Sequence, residues 1–311
     1  MRFGLIFPQF DIGAGPDGVK NYARLAEKLG YKHLTSFDQP VGLDQHSRPD
    51  WSYVHTADDL FHELMVLFGF LAGVTEKIEF TTGIVVAPMR GTALLAKQAT
   101  EIDVLSNGRF RLGLGAGIRP EEFEACGFEY GNRGKRFDEQ IDYMRKLWKD
   151  EIISYDGKYH KLDRGGINPL PIKKSIPIWI GGVSKAAIRR TAQLGDGWLP
   201  NFAPDDYGRE CIELMWKKAE EYQRDPKEIG IEGCVPVVDK TDAQIVDGIE
   251  KWRKLGATHI SLTTIPEEWV ESERRWHRLY DADRGIDGIQ PHIDRIEKFA
   301  QNFPEYLNED L

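Results

Sequence analysis

Short apolar segments alternate with helical segments along almost the whole of this 311-residue chain, and this alternation limits the fold more than any other feature. Each of the eight apolar segments predicted as strands is followed by a segment with helical periodicity. The strands are too apolar to face water on either side, which is typical of parallel strands covered by helices. We therefore expect one domain over residues 1–311, an α/β fold with an eight-stranded parallel barrel of the TIM type. A doubly wound open sheet is the alternative.

The predicted strands cover residues 3–9, 33–38, 78–87, 110–117, 178–181, 197–200, 233–238 and 259–264. The predicted helices cover residues 18–29, 59–74, 93–105, 137–150, 185–194, 207–224, 243–255 and 293–303. Residues 153–162, with Asp156 and Gly157 at their middle, predict a hairpin inserted between the fourth and fifth strands. The long irregular segment 39–58 follows the second strand, and we expect it to cover the barrel mouth as a lid. It carries His46, Arg48, Trp51, Tyr53 and His55.

The net charge and the spacing of the cysteines limit the kinds of ligand and site to be expected. The formal net charge is -9 and no block of like charges occurs, which argues against a nucleic-acid or anionic-membrane surface and favours a small-molecule ligand. Cys126, Cys211 and Cys234 are far apart and form no CxxC pair, so neither a disulfide framework nor a zinc ribbon is expected. Met1 leads directly into the first strand and no apolar run reaches spanning length. We therefore expect a cytoplasmic protein.

Three short motifs each resemble a known signature but lack one of its residues. The string GLGAGIR lacks the third glycine of a dinucleotide fingerprint, because Ile118 stands there. His62 and Glu63 begin like a zinc-protease motif, but Val66 occupies the place of the second histidine. The run around Ser184 resembles part of a nucleophile elbow, but Ala186 replaces its closing glycine. A metal site and serine-hydrolase chemistry are therefore not expected.

The end of the fifth strand carries the clearest ligand signal. Gly181, Gly182 and Ser184 lead into a helix, so a ligand can approach the main chain closely and the first helical N–H groups point outward. A second glycine-rich turn, at Gly115 and Gly117, ends the fourth strand on what a barrel makes the same face. Such converging donors favour an anion, such as the phosphate of a cofactor. The alternative is that the glycines only turn the chain and Ser184 only caps its helix.

An ordered set of motifs resembles the bacterial luciferase-like monooxygenase superfamily from residue 1 to about 201. The set is GIVVAP, ALLAKQATEIDVLSNGRFRLGLGAG, RGKRFDEQIDYMRKLW, GKYHKL, PIWIGG and GDGW. The closest resemblance is to the branch of oxidoreductases that depend on the deazaflavin F420. Its members also show an HE pair before the third strand and an INPLPI run before the fifth, here His62–Glu63 and residues 167–172.

The resemblance implies a barrel that holds F420 or FMN with the ring system in its mouth and the phosphate at the glycine-rich strand ends. The matching positions are Gly115, Ala116 and Gly117 in one turn and Gly181, Gly182, Val183 and Ser184 in the other. It also implies a non-proline cis peptide under the ring, here between Gly83 and Ile84, although a plain glycine that eases packing in a strand is an equal alternative. Thr82 beside it is expected to offer a hydroxyl to the ring edge.

Asp38 is the residue we expect nearest the reactive ring, as hydrogen-bond acceptor or proton carrier. Two positions depart from the family pattern. Gln39 stands where a histidine often follows, and Ile118 stands where the sugar-phosphate dehydrogenase relatives have a glutamate. A sugar phosphate is therefore not assigned as the substrate.

The remaining candidates have two interpretations each. Phe7 and Trp198 end strands and are expected to wall an apolar ring pocket, or else to belong to the core. Asp196 between two glycines more often fixes a turn than binds a cofactor hydroxyl. Arg133, Arg136 and Glu139 are expected to form a surface charge set at a helix start, with Arg136 and Glu139 at i, i+3 spacing, and phosphate binding is the alternative.

The sequence thus predicts an oxidoreductase that transfers hydride or electrons between F420 and a small organic substrate. The alternatives are an FMN-dependent monooxygenase that uses oxygen and a non-catalytic flavin-binding barrel. Expected partners are a second copy of the chain in a homodimer and a separate flavin or F420 reductase.

Overall fold

The computed structural model of the protein describes residues 1–13, 15–48, 56–265 and 288–308, and the backbone of residues 268–272 and 275–279. Trp51, Tyr53 and His55 of the expected lid lie outside the described residues. The strands in chain order are β1 (Arg2–Ile6), β2 (His33–Ser36), β3 (Glu79–Thr82), β4 (Val85–Val86), β5 (Phe110–Gly115), β6 (Ile153–Asp156), β7 (Lys161–Gly165), β8 (Ile178–Gly181), β9 (Gly197–Leu199), β10 (Gly230–Pro236), β11 (His259–Thr263), β12 (Glu268–Ser272) and β13 (Arg275–Leu279).

The helices pack outside the strands. In chain order they are α1 (Pro16–Lys28), α2 (Leu64–Ala72), α3 (Thr92–Leu105), α4 (Pro120–Ala125), α5 (Arg133–Lys149), α6 (Lys185–Leu194), α7 (Asp206–Glu221), α8 (Asp242–Lys254), α9 (Gln290–Asn302) and α10 (Pro304–Asn308). Within the described part of the chain, no helix is both long and apolar enough to cross a bilayer.

The sheet closes on itself. Its strand order is β3-β2-β1-β11-β10-β9-β8-β5-β4, every pairing is parallel, and β3 also pairs with β5. β3 and β4 are two halves of one barrel strand, because Thr81 is paired with Arg111 and Val85 with Leu114, which leaves one extra residue between them. Counting them together gives the predicted eight-stranded barrel, and the TIM fold class is confirmed.

The expected hairpin is also present. β6 and β7 pair antiparallel between β5 and β8, which are the fourth and fifth barrel strands. A second antiparallel pair, β12 with β13, follows the last barrel strand and was not expected. The helix expected over 59–74 begins only at Leu64, because the Glu63 carboxylate accepts from the Val66 N–H and ends the preceding loop as an N-cap. The seventh barrel strand begins at Gly230 rather than at residue 233.

Alternation along β1 separates the barrel interior from the helix layer. A Cβ on Gly4 would lie 2.4 Å from the His33 ring, so Gly4 faces inward. Phe3 stacks on Tyr306 of α10 at 4.9 Å and therefore faces outward, as does every second residue after it. The apolar core lies between the barrel and its helices.

The barrel interior is polar. Glu232 on β10 is buried and accepts hydrogen bonds from Thr35 at 2.8 Å and Ser261 at 2.7 Å. Arg111 on β5 donates to the other oxygen of Glu232 at 3.2 Å and stacks on Trp179 at 4.6 Å. Each buried charge has an opposite charge beside it, as burial requires.

Candidate functional site

The floor of the barrel mouth is the Ile84 side chain, which lies across two strand-end glycines. A Cβ on Gly115 would lie 2.4 Å from Ile84 Cδ1, and one on Gly181 would lie 2.6 Å from Ile84 Cγ2. Both positions therefore leave the space that Ile84 fills. The Gly83–Ile84 peptide is cis, as the family resemblance implies. The two glycine-rich strand ends expected to share a face thus meet at one residue.

The turn after β5 needs glycine at its last position. Gly117 has φ +73°, and a Cβ there would lie 2.6 Å from Val86 Cγ1 and 2.7 Å from Phe123 Cε2. Ala116 and Gly117 are half-buried, and Ile118 next to them is exposed. The turn therefore presents main chain, and not a large side chain, at the mouth.

The turn after β8 ends at a helix start that is open to solvent. Gly182 has φ +99°, Gly181, Gly182 and Val183 are half-buried, and Ser184 is exposed. The Ser184 hydroxyl accepts from the Ala187 N–H at 3.1 Å and caps α6. The earlier N–H groups of the first turn have no partner inside the helix and carry its positive dipole end. This end of α6 can bind an anion.

Asp38 follows β2 and belongs to an ion-pair bridge. Its carboxylate accepts from Arg90 at 2.7 Å and from the Val86 N–H at 3.4 Å, and its side chain is 1% exposed. Arg90 also donates to Glu63 at 2.7 Å. Burial raises the pKa of Asp38, and Arg90 only partly offsets this. Sequence reasoning missed Arg90, because nothing local marks a partner that lies 52 positions away.

Phe7 and Trp198, which were expected to wall a ring pocket, face away from the mouth, so both predictions are corrected. Phe7 is fully buried and packs edge-on against Tyr22 of α1 at 5.6 Å. Trp198 is fully buried, donates to the Gly182 carbonyl at 2.8 Å and packs on Phe202. Both lie at outward positions of their strands, so they belong to the core.

The Thr82 hydroxyl is also used within the barrel wall. It is buried and donates to the Gly113 carbonyl at 2.7 Å, where the extra residue between β3 and β4 interrupts the ladder. The hydroxyl therefore stabilises the break in the strand and is not offered to a ring edge.

A second network connects the inserted hairpin to the mouth. Gln140 of α5 is fully buried and donates to the Ala87 carbonyl at 3.0 Å and to the Thr92 hydroxyl at 2.8 Å. The Thr92 hydroxyl also bonds His160 Nε2 at 2.7 Å. Glu139 accepts from His160 Nδ1 at 2.9 Å and from three backbone N–H groups of the hairpin. The expected Arg136–Glu139 surface pair is therefore wrong.

Other candidates have structural roles. The Asp196 carboxylate accepts from the Ile178 N–H at 2.8 Å and from Arg145 at 3.0 Å, so it fixes the start of β8 as the turn interpretation predicts. His46 has a side chain that is 77% exposed. Among the described residues, no group of three or more His, Cys, Asp or Glu side chains could hold a metal ion.

The mouth fits a flat coenzyme with an anionic tail. The glycines at 115 and 181 keep Cβ atoms away from the floor, and the start of α6 supplies main-chain donors for the anion. The two glycine turns that the sequence predicted as a binding site border the same mouth. Among the described residues this mouth thus offers main-chain donors and an apolar floor, and no metal ligand set.

A comparison of the sequence with protein-family profiles identifies the family. The profile described as luciferase-like monooxygenase matches residues 1–285, and the chain belongs to this family. The family predicted from the motifs is confirmed. The match extends well beyond residue 201, where the motif resemblance ended.

Three individual proteins illustrate what this chain is similar to. An uncharacterised protein of Mycobacterium tuberculosis strain H37Rv is 29% identical over 290 residues, 90% of this chain and 92% of that protein. The coenzyme F420 dependent tetrahydromethanopterin reductase of Methanopyrus kandleri has the same fold, with a TM-score of 0.72 and 16% identity over 98% of this chain and 99% of that one. The oxygenating constituent of 3,6-diketocamphane monooxygenase from Pseudomonas putida, solved in complex with FMN, has a TM-score of 0.60 and 20% identity over 82% and 76% of the two chains.

Proposed function

We propose that this chain is an oxidoreductase that transfers hydride or electrons between the deazaflavin F420 and a small organic substrate at the barrel mouth. The observation that carries the proposal is the floor formed by Ile84 across Gly115 and Gly181, beside the open start of α6. F420 is preferred because His62–Glu63 and the INPLPI run resemble the branch that uses it. FMN is the alternative, since the FMN-bound camphane monooxygenase shares this barrel.

The start of α6 is the proposed phosphate site. Gly182 and Val183 bring the main chain to the mouth, and the capping bond that the Ala187 N–H donates to the Ser184 hydroxyl holds the first helical turn in place. An anion there gains hydrogen bonds from N–H groups and interacts favourably with the helix dipole. The matching turn at Gly117 borders the same mouth.

Ile84 is proposed to support the ring system. When bound, the coenzyme supplies the hydride or electrons, and the protein contributes position, electrostatics and exclusion of water. Of the two roles expected for Asp38, the pairing with Arg90 favours hydrogen-bond acceptor over proton carrier, because both carboxylate oxygens are already engaged. Asp38 then holds the ends of β2 and β4 together below the substrate.

Binding measurements with the two coenzymes test the proposal. The purified apoprotein is titrated separately with F420 and with FMN, and the dissociation constants are compared. Tight binding of F420 alone supports hydride transfer, whereas tight binding of FMN alone favours the monooxygenase. Binding of neither coenzyme would contradict the proposed function.

A pair of glycine variants locates the site. Gly181→Ala places a Cβ 2.6 Å from Ile84 and must shift the floor, so coenzyme affinity should fall at least about tenfold. Gly69→Ala on α2 meets nothing within 4 Å and is the matched control, expected to bind normally and to fold slightly better. Equal affinity in both variants would show that the coenzyme does not rest on Ile84.

A further inference from the structure

Two arginines at the start of α5 lie on the rim of the mouth. Arg133 donates from Nε to the Gly117 carbonyl at 3.3 Å, and Arg136 donates from Nη2 to the Arg90 carbonyl at 3.2 Å. Gly117 borders the mouth, and the Arg90 side chain pairs there with Asp38. Arg133 and Arg136 are called the arginine pair below. The pair is thus anchored to the loops that follow β4 and β5, which are neighbours in the barrel.

Aromatic rings hold both guanidinium groups in place. The Arg133 guanidinium lies over the Tyr130 ring at 3.7 Å, and the Arg136 guanidinium lies over the Phe128 ring at 4.2 Å. Among the described residues Arg133 donates two hydrogen bonds and Arg136 one, although each guanidinium has five N–H donors. Most of the donors therefore remain for a ligand, and side chains that are already held in place lose little entropy when it binds.

Neither arginine has a carboxylate partner within the part of the chain that the structure describes. The two acids of α5 nearest to them are engaged elsewhere. Asp138 pairs with Arg189 at 2.7 Å and with Arg190 at 2.6 Å, and Glu139 accepts four hydrogen bonds from the inserted hairpin. Burial lowers the pKa of Arg136, because its charged form loses solvent. Two half-buried positive charges thus lie side by side on the rim.

The place of the pair on its helix is unfavourable without a ligand. A helix carries partial positive charge at its N-terminus, where basic side chains are destabilising. The first turn of α5 holds Arg133, Lys135 and Arg136 and no acidic residue. Arg109 and Arg224 also donate to backbone carbonyls, but they do so at the C-terminal ends of α2 and α6, where the dipole favours a cation. The two guanidinium groups of the pair therefore indicate an anionic ligand.

The pair lies close to the proposed phosphate site. Arg190 of α6 donates to the Gly134 carbonyl of α5 at 3.2 Å, so the first turns of the two helices pack together. Lys185, the first residue of α6, is exposed and adds a positive charge. A ligand with its phosphate at the start of α6 would reach the pair if further anionic groups followed the phosphate. F420 has such groups, because a chain of glutamate residues extends beyond its phosphate, whereas FMN ends at the phosphate.

We propose that the arginine pair binds carboxylates of the glutamate tail of F420 and so selects this coenzyme over FMN. The inference rests on the proposed function and extends it from the ring and the phosphate to the tail. Guanidinium groups suit carboxylates, because each can offer two parallel N–H donors. FMN has no group that reaches the pair, so the pair contributes nothing to its affinity.

Coenzymes that differ only in the tail test the proposal. The purified protein is titrated with F420, with F420 from which the glutamate residues have been removed, and with FMN, each at low and at high salt. F420 should bind at least about tenfold more tightly than the tailless form at low salt, since charge-assisted hydrogen bonds are the strong ones. High salt should reduce this difference, because it screens half-exposed charges. Equal affinities of F420 and its tailless form at low salt would overturn the proposal.

Variants that remove charge locate the effect. Arg133→Gln and Arg136→Gln each keep a donor for a backbone carbonyl, and together they should lower the affinity for F420 to that for the tailless form. Each single variant should lose about threefold, so the test stands even if the double variant does not fold. Arg133→Lys with Arg136→Lys keeps both charges and should retain part of the preference. Arg24→Gln is the matched control, because Arg24 also donates to a backbone carbonyl, that of Val74 at 2.9 Å, and its loss should leave F420 binding unchanged.

The tailless form and FMN separate this inference from the proposed function. Weakened F420 with unchanged tailless form and FMN in the glutamine variants supports the tail site. If the variants weakened all three coenzymes equally, the pair would act on the phosphate or the ring, and the inference would be overturned while the proposed function stood. If the native protein bound neither F420 nor its tailless form, the F420-dependent function itself would fall, and the tail site with it.

Discussion

Glu232 is the central charge of the barrel interior, and replacing it by glutamine tests whether the interior is held by paired charges. Its side chain is 3% exposed and accepts from Thr35, Ser261 and Arg111. Burial by itself would raise the pKa of Glu232, but His33 and Arg111 hold it well below its usual range. Glu232→Gln keeps the shape and two of the hydrogen bonds but removes the charge that Arg111 faces.

The expected loss follows from leaving a buried charge without its main partner. Removing one member of a buried ion pair costs about 3–5 kcal/mol. We expect about 3 kcal/mol, the lower end, because Glu79 lies 3.7 Å from the Arg111 guanidinium and compensates in part. At roughly 2 °C per kcal/mol for a large domain, the melting temperature falls by about 6 °C. Calorimetric or circular-dichroism melting measures it.

Two further variants test whether the loss of stability comes from the unpaired buried charge. Glu250→Gln removes an exposed partner of Arg253 on α8 and should change stability by less than about 0.5 kcal/mol. The double variant Glu232→Gln with Arg111→Met keeps an acceptor for Thr35 and Ser261 and removes the unpaired charge, so it should be more stable than Glu232→Gln alone. A Glu232→Gln loss below about 1 kcal/mol, or a double variant less stable than the single one, would refute the reasoning.

Three other predictions concern pH and the mouth. Burial and the nearby Arg111 lower the pKa of His259 to about 2, so only the unfolded chain takes up its proton below the ordinary value of 6.5. Stability should fall as pH drops from 6.5 to 5, by up to about 1.4 kcal/mol per unit for this histidine, and melting of His259→Asn should show a shallower decline. Arg90→Met leaves Asp38 buried and unpaired, so the free energy of unfolding should fall by about 3 kcal/mol at pH 7. The loss should be smaller at pH 5, where the carboxyl can take a proton, and melting curves at the two pH values would show this. His160→Ala removes the bonds to Glu139 and Thr92 and should destabilise by about 1–3 kcal/mol, with faster hydrogen exchange in residues 153–165.

Much of the site could be read from local patterns. The glycines at 115, 117, 181 and 182 punctuate apolar segments, and parallel strands in a closed sheet bring such ends to one rim. The capping role of Ser184 also follows from its place before a helix. These features depend on residues within a few positions of one another, so a single sequence reveals them.

Partners distant in the chain could not be read in this way. Arg90 meets Asp38 across 52 positions, and Gln9 meets Phe37 across 28. The Gln140 and His160 network depends on where α5 and the hairpin pack against the barrel. No local spacing specifies such contacts, because packing and not chain proximity brings them together.

The sequence by itself determined the strand-helix alternation, the number of barrel strands and the glycine turns, since each comes from periodicity and punctuation. Only the tertiary structure decided which way the strand-end side chains face. A strand period of two places alternate residues on opposite faces but does not say which face is inside. Phe7, Thr82 and Trp198 therefore belong to the core or the barrel wall, while Ile84 forms the floor of the mouth.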